Sequence, residues 1–328
     1  MDPLVSIVMP VFNEEKYLSD SIESVLNQSY KNFECIILDN CSKDASYEIA
    51  KKYEKIDGRI RIYKNTSFLG QIQNHNEAVR KISNNSKYCK MVFGDDYIFK
   101  ECLERMVEIA ESDPTIGLVS SYALRGSEVV CTGLPFGKNL YNGKEIAKRY
   151  LLSYNFCVFP NQNSVMYLSD IVRSKHYFFN DLSLTPDIDV CLDILRNYNF
   201  GFINQVLTFT RIDNVSERSR MRINDTGIMR RLILLERYRE MYLSKEEYKK
   251  SEYDLKRKYY NSLAAKIIIN KNFNFWKFHE KELSKVGLQI HKIVLCKYMF
   301  IGVLRKLLNP MNTITDLFIK KKYEYDPP

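Results

Sequence analysis

Over its first 112 residues the chain alternates between apolar runs and amphipathic segments. Val5 to Val11 is apolar apart from Ser6, the pattern of a strand buried on both faces. Tyr17 to Asn27 places Leu18, Ile22, Val25 and Leu26 on one helical face. Phe33 to Leu38 predicts a second strand. The polar turn Asp39 to Asp44 then supplies cap-forming residues before a helix over Ala45 to Tyr53. A short strand is expected at Arg59 to Tyr63, and a helix from Gly70 to about Ile82. A strand follows at Tyr88 to Phe93, ending at Gly94-Asp95-Asp96, and then a helix at Glu101 to Ser112, stopped by Asp113-Pro114. This alternation predicts βαβ units and a parallel sheet.

The pattern then changes. Ile116 to Leu124 and Ser127 to Thr132 read as strands joined at Gly126, and Gly143 to Ser153 as a helix. A strand is expected at Val165 to Leu168. A helix starts at Pro186, with proline at its opening position and Asp187 and Asp189 in its first turn, and runs to about Tyr198. Gly201 to Arg211 reads as a strand and 213–226 as a polar, basic loop. From Gly227 onward the chain reads as mainly helical.

Three of the early strands end in polar, mostly acidic residues: Asn13 after the first, Asp39 after the second, Asp95 and Asp96 after the fourth. Parallel strands present their carboxyl ends along one crevice, where ligands bind. Such an edge suits a nucleotide and a hard cation, Mg²⁺ or Mn²⁺, which prefers carboxylate and phosphate oxygens.

The 328 residues are 45% hydrophobic and 27% charged, a balance that fits a folded, water-facing chain and not a disordered one. The net charge of +9 lies wholly in the last quarter: acids and bases cancel over 1–244, whereas 245–328 holds 18 Lys and Arg against nine Asp and Glu. No nucleic-acid recognition motif accompanies this excess. Eight scattered cysteines, none in CxxC spacing, and four histidines argue against a zinc site and against a disulfide framework. The first apolar run is short and lacks a basic leader, so a cytoplasmic setting is expected.

In this order and spacing, several segments resemble a family 2 glycosyltransferase of the GT-A fold, over about residues 4–215. They are Pro10 to Glu15, Ser24 to Tyr30 leading into Phe33-Glu34, Leu38 to Asp44, Gly70 with Asn76, the pair Asp95-Asp96, and Asp187. The resemblance implies an α/β, Rossmann-like mixed sheet with helices on both faces over 1–215. Residues 1–100 would form the nucleotide-binding half and 101–215 the acceptor half, followed by a mainly helical, basic region over 216–328. It also implies an inverting, non-processive transfer from a nucleotide-diphosphate sugar, with a UDP- or dTDP-sugar as donor, to an acceptor hydroxyl in surface polysaccharide assembly. Pro10, Phe12, Asn13 and Glu14 match the family's loop around base and ribose. Asp39 matches the acid that hydrogen-bonds the base, and Asn76 a position on the following helix. Asp95 and Asp96 match the metal and ribose ligands, Asp95 being the choice for the metal. Asp187 matches the general base, with Asp189 and Asp193 as alternatives. Two positions depart from the pattern: Phe93 stands where an aspartate is common, and Pro186 where a glutamate is usual.

The physical chemistry agrees. A departing diphosphate develops negative charge that a carboxylate-held cation can clamp, and an inverting attack needs one base. Asn161, Gln162 and Arg211 are candidates for contacting sugar or acceptor. Arg218, Arg220 and Arg222 could close over the diphosphate. The apolar, basic stretch around Ile293 to Leu308 either lies on an anionic membrane, which would suit a lipid-linked glycan acceptor at the inner membrane face, or packs against protein. A nucleotidyltransferase would want a glycine-rich basic loop after the first strand, where Phe12-Asn-Glu-Glu15 is acidic. A dehydrogenase would show GxGxxG there. A non-catalytic sugar-nucleotide-binding scaffold need not keep Asp39, Asp95, Asp96 and Asp187 together.

Overall fold

The computed structural model describes residues 2–212, 226–267 and 273–308. They fall into two compact units divided between residues 214 and 215. In the first unit, β1 (Val5–Val11), β2 (Phe33–Asp39), β3 (Ile60–Lys64) and β4 (Tyr88–Met91) are parallel and adjacent in the order β3-β2-β1-β4. Helices α1 (Leu18–Leu26), α2 (Ser46–Ile56) and α3 (Gln71–Val79) connect them. Every residue of β1 and β2 is buried, and the polar Ser6 and Glu34 within them are paired, Ser6 Oγ donating to the Glu34 carboxylate. Leu18, Ile22 and Val25 of α1 pack into the same core as Ile7, Met9 and Ile37.

β4 is followed by the two-residue β5 (Tyr97–Ile98), α4 (Cys102–Ser112) and the long β6 (Ile116–Arg125). Gly126, at φ +58°, turns β6 into β7 (Glu128–Val130). Then come β8 (Leu140–Tyr141), α5 (Gly143–Leu152), a 3₁₀ turn (Gln162–Ser164), β9 (Val165–Leu168), α6 (Ser169–Ser174), α7 (Pro186–Leu195) and β10 (Asn199–Thr210). The sheet continues from β4 as β9-β6-β10-β5. β9 is antiparallel to both β4 and β6, whereas β6 and β10 are parallel. The sheet is therefore mixed. The carboxyl ends of β1, β2, β4, β6 and β10 share one edge, which fits the strand-end reading of the sequence.

The first unit holds elements that periodicity did not reveal. β5 and β8 are two residues each, too short to show a period, and α6 is a six-residue helix. β4 stops at Met91 instead of reaching Phe93. Pro10 is tolerated inside β1 because the β1–β4 ladder ends at Val8, so no β4 carbonyl lacks its donor there.

The second unit contains α8 (Thr226–Tyr242), α9 (Lys245–Ile267), α10 (Phe273–Ser284) and α11 (Lys292–Leu308). Tyr259 of α9 shares a hydrogen bond with His279 Nδ1 at 2.7 Å, and Tyr260 stacks on Tyr298 at 5.7 Å. Among the described residues no helix is long and apolar enough to cross a membrane.

Candidate active site

At the carboxyl edge, the turns after β1 and β2 interlock. Asn13 is left-handed, at φ 54°. Its backbone N–H donates to Ser42 Oγ at 3.0 Å, and its side-chain oxygen accepts from Lys43 N at 2.9 Å. Glu14 N donates to Ser46 Oγ, and Glu15 Oε2 accepts from Ala45 N at 2.9 Å, so Glu15 caps α2 from another segment. Asp39 is 1% exposed, and both its oxygens face Ser42 N, at 3.3 and 3.2 Å. Asn40 fastens the β3–α3 loop by donating to Leu69 O and accepting from Leu69 N and Asn65 Nδ2. Above this frame Phe12 and Phe68, both exposed, meet with ring centroids 4.9 Å apart.

The acidic pair follows β4. A Cβ on Gly94 would lie 3.0 Å from Glu14 Cγ, so glycine lets the β1 turn pass close to the pair. Asp96 is 3% exposed and tied to the end of β10: Thr210 Oγ1 donates to Oδ2 at 3.2 Å and Arg211 N to Oδ1 at 3.1 Å. Asp95 is half-buried. Arg211 brackets the turn. Its Nε donates to Asp95 O at 2.9 Å, its Nη2 to Asp20 at 3.0 Å, and its guanidinium lies 4.2 Å over the Tyr17 ring. Arg211 thus joins α1, β4 and β10. Arg218, Arg220 and Arg222 lie outside the described residues. Among the described residues no three metal-ligating side chains cluster. A magnesium or manganese ion shared with diphosphate oxygens needs only one or two carboxylates, which this pair supplies.

Behind the pair lies a polar interior that sequence reading did not foresee. Asn161 donates to Thr210 Oγ1 at 2.6 Å, and its oxygen caps the 3₁₀ turn by accepting from Ser164 N and Oγ. Lys90 of β4 is fully buried, and its Nζ donates to Asn163 O at 2.5 Å. Burial pushes its pKa down. Gln162 Oε1, Asn163 Oδ1 and Ser120 Oγ are buried with no hydrogen-bond partner among the described residues. A lysine inside an apolar strand, Cys89-Lys-Met-Val92, was the available signal.

α7 packs its C-terminal end at the start of β6, where Tyr198 crowds Gly117 and Asn199 N donates to Thr115 O. Its N-terminus therefore points toward the carboxyl edge. Asp187, in the first turn, is half-buried. Asp189 is buried and accepts from Ser183 Oγ, while Asp193 pairs with Lys175 at 3.0 Å. The segment before α7 is held by Asn76, whose amide donates to Phe179 O at 2.7 Å and accepts from Phe179 N at 2.8 Å. Beside it His75 is buried between Phe93 and Phe179, and burial holds its pKa down to about 4.

Comparison with known proteins identifies the scaffold. Over most of its length the chain aligns with the first 349 residues of Staphylococcus aureus TarS in complex with UDP-GlcNAc, with a TM-score of 0.63 at 13% identity, covering 87% of this chain and 80% of that one. Mannosyltransferase PcManGT from Pyrobaculum calidifontis, in complex with GDP-Man and Mn²⁺, aligns with a TM-score of 0.56 at 14% identity, covering 96% and 84%. At such identities these likenesses show the fold alone, which is GT-A. Residues 6–163 match the profile described as Glycosyl transferase family 2. The Bacillus subtilis glycosyltransferase TuaG, assigned to teichuronic acid biosynthesis, is 31% identical over 139 residues, 42% of this chain and 53% of its own length. An uncharacterized glycosyltransferase of Methanocaldococcus jannaschii is 35% identical over 215 residues, 65% of this chain and 72% of its own length. An identity of that level across most of the archaeal protein, with the matching profile, shows that the chain belongs to glycosyl transferase family 2 and is a glycosyltransferase.

Proposed function

We propose that the chain transfers a glycosyl group, with inversion, from a nucleoside diphosphate sugar to an acceptor hydroxyl in surface polysaccharide assembly. The observation that carries this reading is the joining of three elements at one edge: the β1–β2 turns around Asp39, the Asp95–Asp96 turn, and the N-terminus of α7 with Asp187. A UDP- or dTDP-sugar is the donor class, its base against Asp39, Phe12 and Pro10 and its ribose toward Asn13, Glu14 and Asp96. The UDP-GlcNAc and GDP-Man complexes of the structural neighbours support a nucleotide-sugar donor, and the assigned role of TuaG supports a polysaccharide product.

Asp95 would hold a Mg²⁺ or Mn²⁺ ion, because it is the more exposed of the pair, whereas Asp96 is buried against the end of β10. The ion, when bound, supplies positive charge against the departing diphosphate. Asp187 is the general base, because it stands in the first turn of α7 at the position that matches the family's base and is half-buried, within reach of an acceptor. Its carboxylate takes the acceptor proton as the acceptor oxygen bonds to the anomeric carbon. The bond from that carbon to the diphosphate oxygen breaks with its electron pair on the leaving group. Asn76, Asn161 and Arg211 position the site, because their polar atoms engage the protein. Gln162 lies beside them. Residues 1–215 carry the transfer, and 216–328 places the enzyme on the cytoplasmic face of the membrane, against a lipid-linked acceptor.

The test is product analysis by NMR with the wild-type chain and Asp187→Asn. We expect an inverted anomeric centre, and transfer lowered at least about 100-fold in the variant with donor binding kept. A retained configuration, or wild-type transfer by Asp187→Asn, would remove this mechanism.

A further inference from the structure

We infer that α11 is an in-plane docking helix for an anionic lipid surface. Its inner side packs on the second unit: Leu295 is buried, Tyr298 stacks on Tyr260 of α9, and His291 N donates to Tyr260 Oη at 3.0 Å. Its outer side is apolar and, among the described residues, uncovered. Ile293 is 87% exposed, Phe300 65% and Val303 44%, and Leu304 is exposed as well.

At 3.6 residues per turn these four fall within an arc of about 100°. Lys292 lies about 20° beyond one border of the arc and Lys297 about 20° beyond the other. Both lysines are exposed. An apolar stripe with a lysine on each border matches a lipid interface: rings and branched chains enter the acyl boundary while the ammonium groups reach headgroup phosphates.

The charge selects the occupant. Residues 292–308 contain four basic side chains and no acid. A second copy of the chain docked on this stripe would set Lys292 and Lys297 beside its own cations, whereas an anionic leaflet neutralises them. A span is excluded for α11 by its length and its lysines. This surface deepens the reading of a lipid-linked acceptor and is tested apart from transfer.

The experiment is co-sedimentation of the full chain with phosphatidylcholine vesicles containing about one-third phosphatidylglycerol, and with phosphatidylcholine alone. Ile293→Glu with Phe300→Glu tests the stripe, and Lys292→Glu with Lys297→Glu tests its borders. We expect binding to the anionic vesicles, weakened in 0.5 M salt, and at least about tenfold loss in either double variant. All four residues are exposed, so an unchanged thermal melt should accompany the loss. No binding to anionic vesicles, or binding unaltered by both variants, overturns the proposal. So does a dimer in light scattering that Phe300→Glu dissolves without any vesicle binding by the wild type. Binding of UDP in solution, measured on the same samples, reports separately on the catalytic reading.

Discussion

Single residues in this site divide into those that face the crevice and those that hold the frame. Asp187 and Asp95 are half-buried and so accessible to a ligand, whereas Asp96, Asp189 and Asn76 are buried. His75 belongs to the frame and gives a pH prediction. Burial lowers its pKa from 6.5 to about 4. As pH falls below 6.5 the unfolded chain takes the proton first, so folding stability declines between about 6.5 and 4 and is whole above that window. The shift corresponds to roughly 3 kcal/mol. His75→Leu is expected to flatten this part of the stability-against-pH curve in urea melts. The variant should be tolerated, because Nδ1 has no partner among the described residues to lose. An identical slope in variant and wild type would mean that the loss of stability comes from other groups.

At the scale of elements, the site depends on two crossings between distant segments. Asn76→Leu leaves both Phe179 backbone groups without their partner, and should cost about 3 kcal/mol in chemical denaturation. The second crossing runs from Lys90 through the 3₁₀ turn and Asn161 to Thr210 and Asp96. Lys90→Met removes a buried charge, which favours folding, and leaves Asn163 O unpaired, which opposes it. The net change in stability should stay within about 3 kcal/mol. Turnover should still fall about tenfold or more, because Asp96 loses its backing. Wild-type kcat in that variant would show that the network does not position the site. The main elements were legible because their patterns are long enough to read: Val5–Val11 is a nearly continuous apolar run, and Leu18–Leu26 and Cys102–Ser112 each show a helical period. β5 and β8 were not, since two residues carry no period and form only against β10. The antiparallel sense of β9 was hidden too, because pairing direction depends on the path of the chain between strands. Lys90 reads as an ordinary polar interruption until the fold buries it.

For the whole molecule, the strand-end acids were legible because a parallel sheet sends its carboxyl ends to one edge whatever the loops contain. What holds each acid was not, since Thr210, Asn161 and Ser183 are generic polar residues whose partners are fixed only by tertiary packing. The charge asymmetry has a similar logic. The first unit is close to neutral, while the second unit carries the basic excess and the exposed stripe of α11. The central claim is that the carboxyl edge binds a nucleoside diphosphate through a metal held by Asp95. Calorimetric titration of UDP and dTDP into the full chain, with and without Mn²⁺, tests it directly. The account predicts metal-dependent binding of at least one nucleotide, kept in Asp187→Asn and lost in Asp95→Ala. Equal affinity with and without Mn²⁺, or unchanged metal-dependent binding in Asp95→Ala, would contradict it.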